Sequence, residues 1–153
     1  MRRTKEEATI TRGNLLDGAL EVFIENGYSQ TSVEDIVKRL SLTSGAFYWH
    51  FKNKDDLLNQ LIFREHTAIA EIIAKASVQD SDERNKVRAI MLNLVNSFYD
   101  NKRYRNFVYL VRFSLEFKST LFYFKGLKGL NEFIMDEIEK ILSAAKQEGR
   151  ISQ

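Results

Sequence analysis

Thr43-Ser44-Gly45-Ala46-Phe47-Tyr48-Trp49-His50-Phe51, followed by Lys52-Asn53-Lys54, is the stretch whose reading decides the fold. At about 100° per residue, Phe47 and Phe51 share one helical face, with Thr43 and Ala46 beside them. Ser44, Gly45, Tyr48 and Trp49 share the other. The first face suits a core. The second runs small, small, aromatic, aromatic, a profile that lets a helix sit deep in the major groove while a phenol reaches out. Thr43 stands where an N-cap belongs. By pattern alone the stretch also fits an aromatic-rich core helix.

The residues before it narrow the choice. Thr31-Ser32-Val33-Glu34 reads as a capping box that opens a short helix from Val33 to about Leu40, with Val33, Ile36, Val37 and Leu40 inward. Ser41-Leu42 is the turn, and Leu42 plugs the angle between the two helices. Upstream, Thr4-Lys5-Glu6-Glu7 is another capping box. It starts a longer helix to about Asn26, whose Leu15, Leu16, Ala19, Leu20 and Phe23 recur at helical spacing. Gly13 and Gly18 lie inside that helix, each at a cost of about 1 kcal/mol against alanine. Asn26-Gly27 is a stop, with glycine suited to the left-handed position. A short helix, a tight turn and a second short helix, braced by a longer first one, is a helix-turn-helix.

Composition sets the outer limits. The 153 residues suit one compact domain or two small ones joined by a boundary helix. Proline is absent and there are only seven glycines, so little interrupts long helices. Cysteine is absent too, which excludes disulfides, thiolate nucleophiles and thiolate metal sites, and agrees with a cytoplasmic protein. No apolar run approaches the ~20 residues of a membrane span, and the charged start Met1-Arg2-Arg3-Thr4-Lys5 does not read as a secretory signal. The net charge of +2 says little about nucleic acid. The first 60 residues hold eight Lys/Arg and nine Asp/Glu, so an electrostatic footprint must come from local placement. Arg2, Arg3, Lys5 and Arg12 are candidates at one end, Lys52 and Lys54 at the other.

Beyond residue 54 the pattern stays helical. Lys54-Asp55-Asp56-Leu57 begins a long helix to about Ser77, with Leu57, Leu58, Leu61, Ile62, Ile69, Ile72, Ile73 and Ala76 inward. His66 on it reads as structural or solvent-facing. After the polar break at 78–82, a helix over about 82–100 places Val87, Ile90, Met91, Leu94, Val95 and Phe98 in register. A helix from about Arg103 to Phe117 is apolar on most sides, which marks deep burial or a cavity wall. Leu121-Phe122-Tyr123-Phe124 and the glycines at 126 and 129 precede a final helix carrying Leu130, Phe133, Ile134, Ile138, Ile141 and Leu142.

Over its first ~60 residues the chain resembles the N-terminal domain of the TetR family of bacterial transcriptional repressors, above all the multidrug-efflux branch. The resemblance rests on Thr11-Arg12, Ala19, Phe23, Gly27-Tyr28, Thr31-Ser32-Val33, Ile36, Ser44-Gly45, Phe47-Tyr48-Trp49-His50-Phe51, Lys54 and Leu57. It implies an all-α fold, with a helix-turn-helix DNA-binding domain over 1–54 and a helical ligand-binding and oligomerisation domain over 55–153. It implies that Tyr48 and His50 touch DNA, His50 mainly at phosphate. Lys54 is expected to meet phosphate and Thr31 to sit near the DNA backbone. Ser44 and Gly45 match base-facing positions, and Thr43 and Trp49 complete the expected DNA-binding set. Many relatives carry arginine where Ser44 stands, and serine cannot hold guanine bidentately.

The resemblance further implies a double-stranded, palindromic operator, a small apolar or aromatic effector and a homodimer. Phe98, Phe107, Phe113 and Phe117 are the candidate effector contacts, against the plainer reading of core packing. After residue 60 the likeness fades to helix order and the Glu148-Gly149-Arg150-Ile151 ending. Relatives usually continue for two more helices, which this sequence does not carry.

No catalytic constellation emerges. The two histidines, His50 and His66, do not make a metal cluster, and Gly126 and Gly129 lack the spacing of a phosphate loop. No cofactor is expected. Three readings remain at this level: a ligand-released repressor, a truncated relative that senses nothing, and a helical protein-interaction module.

Overall fold

The computed structural model describes residues 5–78, 81–113 and 129–151, and these are all-helical. The helices are α1 (Lys5–Asn26), α2 (Val33–Arg39), α3 (Ser44–His50), α4 (Lys54–Val78), α5 (Glu83–Asp100), α6 (Lys102–Phe113) and α7 (Gly129–Gln147). Thr4 and the Leu121–Phe124 segment lie outside the described residues.

α1 buries Leu15, Leu16, Ala19, Leu20 and Phe23, the stripe its spacing predicts. It ends at Gly27, whose φ of 82° places the amide 3.0 Å from the Phe23 carbonyl. A left-handed residue of this kind satisfies a helix's last carbonyls at little steric cost only when it is glycine. α2 closes in a related way without one. Ser41, at φ 53°, donates to Lys38 O at 3.1 Å, and Leu42 donates to Val37 O at 2.8 Å. This pair of bonds turns the chain into α3 and sets Leu42 against the core.

Gly18 is fixed by the same corner. A Cβ there would fall 2.7 Å from Leu40 Cδ2 and 2.8 Å from its Cγ, so the glycine is the socket for the end of α2. Gly13 has no atom within 4 Å of the equivalent position.

The capping box of α2 is shifted one residue from the sequence expectation. Ser32, not Thr31, is the N-cap: its Oγ accepts from Asp35 N at 3.1 Å, and Asp35 Oδ2 accepts from Ser32 N at 2.8 Å. The Thr31 hydroxyl has turned inward to the Gly27 carbonyl, 2.7 Å away. α4 is capped by Asn53, whose Oδ1 accepts from Asp56 N at 2.8 Å.

One apolar cluster runs from α1 through α2, α3 and α4 to α5 and α6, joining Phe47 and Leu57 to Ile90, Phe107 and Leu110. α4 packs on α1, α5 and α7, and α6 packs on α1 and α5. Glu65 interrupts the buried stripe of α4, 1% exposed between Leu61 and Ile69. Its Oε1 pairs with Arg64 Nε at 3.0 Å and with Arg103 Nε on α6 at 3.1 Å, while Arg64 reaches Asp17 on α1 at 2.7 Å. Lys102 adds a second tie, 3.0 Å from Glu21 on α1. At the far end Gly149 (φ 67°) closes α7, and Arg150 reaches back to the Ser81 carbonyl at 2.8 Å and to buried Glu83.

One expectation is corrected. Among the apolar residues of α5 only Ile90 is fully buried, and Met91, Val95 and Phe98, expected inward, are exposed. They sit at i, i+4 and i+7, on a side of the helix separate from Ile90 and Leu94, so the apolar stripe is wider than the core that meets it. The described part of α6 ends at Phe113; residues 114–117 of the expected helix lie outside the described residues.

The two glycines of α1 give opposite expectations. Gly18→Ala must displace Leu40 and should lower stability by about 1–3 kcal/mol. Gly13→Ala meets nothing and should raise it by up to about 1 kcal/mol. Urea midpoints of the two variants check this; equal effects would show that Leu40 does not seat on Gly18.

Candidate nucleic-acid interface

α3 has seven residues, too few to persist alone in water. Two features hold it. Thr43 caps it, with Oγ1 accepting from Ala46 N at 3.2 Å. Phe47 and Phe51 are sunk in the core, ring centroids 5.6 Å apart. Their burial leaves the opposite face outward: Tyr48 is 56% and Trp49 79% exposed, with Gly45 and Thr43 also exposed and Ser44 half-buried. The Tyr48 ring stands edge-on to Phe47 at 5.3 Å, a contact that steadies its base and leaves the hydroxyl end free to reach outward.

Gly45 is informative because nothing inside the chain requires it. A Cβ there would lie 3.8 Å from Thr43 Oγ1, ordinary contact distance, and its backbone is helical. Glycine in a helix costs about 1 kcal/mol against alanine. The bare backbone leaves this face of α3 open to close approach from outside.

The expected contacts divide when placed in the structure. Thr43, Gly45, Tyr48 and Trp49 form one exposed surface on α3 and its cap, with Ser44 at its edge. His50 is half-buried in the last turn, its ring 6.2 Å from Phe51. Thr31 is 2% exposed and its hydroxyl is engaged by Gly27, so its side chain does not reach this surface. Lys54 is also turned inward. Its Nζ donates to the carbonyls of Tyr28 and Thr31, both at 2.7 Å, and lies 4.4 Å from the Tyr28 ring centroid.

Lys54 thus clamps the α1–α2 turn to the start of α4. The neighbouring Tyr28 hydroxyl donates to Asp55, and burial together with that carboxylate raises the phenol's pKa. Two of the ammonium's three donors are engaged by these carbonyls.

Sequence reasoning missed part of the positioning machinery. Arg12 on α1 donates to Gln60 on α4 and lies 5.8 Å from the Phe51 ring centroid, yet stays exposed. Asp56 accepts from Gln60 at 3.0 Å and from the Lys52 amide at 2.8 Å, and these bonds hold its carboxyl below the usual carboxylate range. Lys52 is exposed beside this turn. The Asn53-x-x-Asp56 spacing is the signal that would have revealed the cap.

Of the expected effector residues, Phe98 and Phe107 have described side chains, and these two lie in different surroundings. Phe107 is core, between α6 and the main cluster, whereas Phe98 is exposed on α5 with its ring 6.1 Å from Tyr99. Phe113 closes the described part of α6, and Phe117 lies outside the described residues.

A buried three-helix support that presents a short, capped, aromatic helix defines a helix-turn-helix protein. The family model described as bacterial regulatory proteins, tetR family, matches residues 15–61. The chain is 33% identical over 97 residues to TtgW of Pseudomonas putida, an uncharacterized HTH-type transcriptional regulator, covering 63% of this chain and 71% of that one. It is 33% identical over 117 residues to the HTH-type transcriptional regulator AcrR of Shigella flexneri, covering 76% of this chain and 54% of AcrR. A solved SmeT–triclosan complex superposes with a TM-score of 0.76 at 27% identity, over 92% of this chain and 68% of that one. SmeT is the repressor of a Stenotrophomonas maltophilia multidrug efflux pump. The protein belongs to the tetR family of bacterial regulatory proteins. It spans about half the length of AcrR and of TtgR of Pseudomonas putida, at 54% and 56%.

Two substitutions separate fold from interface. Lys54→Ala should lower stability by about 1–3 kcal/mol, because it strips charge-assisted bonds from two backbone carbonyls. Gly45→Ala should leave stability unchanged or slightly higher while weakening DNA binding. Thermal melts and DNA titrations decide; a Lys54→Ala protein of normal stability would remove the clamp.

Proposed function

We propose that the chain is a DNA-binding transcriptional regulator, acting as a repressor that a small apolar ligand releases from its operator. The observation that carries the DNA-binding part is the outward face of α3. Tyr48 and Trp49 stand exposed beside a glycine that the fold does not need. An exposed tryptophan at this level has no reason in folding, and a major groove offers it thymine methyls and sugar edges.

In this reading residues 1–54 read DNA and residues 55–153 sense and assemble. The protein works in the cytoplasm as a homodimer on a palindromic site, its recognition helices about 34–36 Å apart or a multiple of that. Thr43, Ser44, Gly45 and Tyr48 meet the groove, with Trp49 beside them and His50 at its edge. Lys54 orders the turn and lends its remaining donor to phosphate. The helices themselves do not place it in a membrane or exclude one: no described helix is long and apolar enough to cross a bilayer. Catalysis has no part in this role.

The effector half of the proposal rests on the exposed Met91, Val95 and Phe98 stripe, an apolar surface on the sensing side of the chain. Phe98 is its aromatic member, and Phe113 and Phe117 follow on the next stretch of chain as further candidates. A relative points the same way, since SmeT was solved with triclosan.

Titration of the chain with its own upstream DNA at low salt tests the first half. Trp49 emission should change on binding, and Tyr48→Ala should weaken binding with helicity intact. Emission and affinity both indifferent to DNA would refute the α3 assignment. An apolar aromatic compound at 100 times its Kd should stabilise the protein by about 2.7 kcal/mol. Phe98→Ala should reduce that shift without affecting DNA binding, and a broad hydrophobic panel with no hit would leave a non-sensing regulator.

A further inference from the structure

A polar groove of about 680 Å³ lies between α4 and α5 and reaches the start of α6, a volume within the range of small-molecule sites. Its α5 wall is Asn93, Asn96, Ser97 and Asp100, which share one helical face at about 100° per residue. That face lies about half a turn from Met91, Val95 and Phe98, so the groove is separate from the apolar surface described above. Ile72 is the one apolar residue among the described residues that line it.

Folding does not account for this wall. The side chains of Asn93, Asn96, Ser97 and Asp100 make no hydrogen bond or ion pair among the described residues. A helix face meant only for water favours long charged helix formers. This one carries two asparagines and a serine, which are poor helix formers and which offer short, directional donors and acceptors instead.

Charge narrows the ligand. Lys75 borders the groove without an ion pair. Arg103 borders it too, and although its Nε faces Glu65, its terminal nitrogens make no hydrogen bond among the described residues. Lys102, at the same end, is held only by its surface pair with Glu21. Lys75 lies ten residues beyond Glu65 on α4, about 15 Å along the helix, so cations stand toward both ends and neutral groups between. Asp100 is the single acid lining the groove among the described residues, placed to accept from a hydroxyl.

We propose that this groove binds a small anion carried on a hydroxyl-rich frame, a phosphate or carboxylate of about sugar size. Arg103 and Lys102 take the anionic group, Asn93, Asn96, Ser97 and Asp100 hold the hydroxyls, and Lys75 meets an oxygen at the far end. Such a ligand competes with Glu21 for Lys102, the residue that ties α6 to α1.

Isothermal titration of the full chain at low salt with glucose 6-phosphate, gluconate and glucose tests it, with circular dichroism to verify folding. Millimolar or tighter binding of the phosphate or the carboxylate is expected, and the better of the two identifies the anion. Glucose, with hydroxyls alone, should not bind. Asn96→Ala should weaken binding about three- to tenfold while slightly raising the melting temperature, a pair of signs that loss of fold cannot produce. Lys75→Ala should weaken it by a similar factor, and Glu21→Gln should strengthen it by releasing Lys102. None of these variants should alter the response to an apolar aromatic compound, so failure here leaves the earlier effector reading standing. The site is overturned if neither anion binds, if glucose binds as well as the anions, or if binding is indifferent to both Asn96→Ala and Lys75→Ala.

Discussion

The burial of Phe47 and Phe51 is the constraint on which the rest depends. A seven-residue helix cannot hold itself together, so its geometry is borrowed from whatever its apolar side is anchored in. Here the anchor is the shared core of α1, α2 and α4, and the two rings enter it from one side of α3. The rotational setting of the helix follows from that. With Phe47 inward, residues 44, 45, 48 and 49 have no freedom to face anywhere but out. The exposed face of α3 is thus a by-product of core packing, and its rigidity is the rigidity of the core beneath it. Lys54 extends the same rigidity to the turn before α2 by binding the Tyr28 and Thr31 carbonyls, and the Tyr28 hydroxyl adds a bond to the Asp55 carboxylate.

What was legible in the sequence was what periodicity encodes. Phe47 and Phe51 against Tyr48 and Trp49, the stripe of α1 and the capping role of Thr43 all come from spacing within a few residues, and the structure places them as spacing does. What was not legible depends on groups distant in sequence. Thr31 and Ser32 can each cap a helix, and the choice is made by the Gly27 carbonyl, which claims the Thr31 hydroxyl. Lys54 reads as a surface cation until the Tyr28 and Thr31 carbonyls appear beside it. Gly18 reads as a defect until Leu40 fills its place. On α5, periodicity overstated burial, because an apolar stripe records what a helix can bury and not what its neighbours cover.

Glu65 is the instructive exception within α4. Its position between Leu61 and Ile69 puts it on the buried stripe, so spacing alone demands a partner, and two arginines supply it. Buried ion pairs add little net stability, because desolvation offsets much of the attraction. Breaking one is another matter, since the charge left behind has nowhere to go.

That asymmetry dictates how α6 can travel. Glu65 is flanked one turn away in each direction by Leu61 and Ile69, both buried. Sliding α6 along α4 by a helical turn, about 5.4 Å, would carry the Arg103 guanidinium onto hydrocarbon and strand the carboxylate. Tilting α6 about the Arg103 contact leaves the pair intact and moves only the far end of the helix. The Glu65–Arg103 contact is therefore a pivot and not a rail, and motion of α6 against α4 is a change of angle.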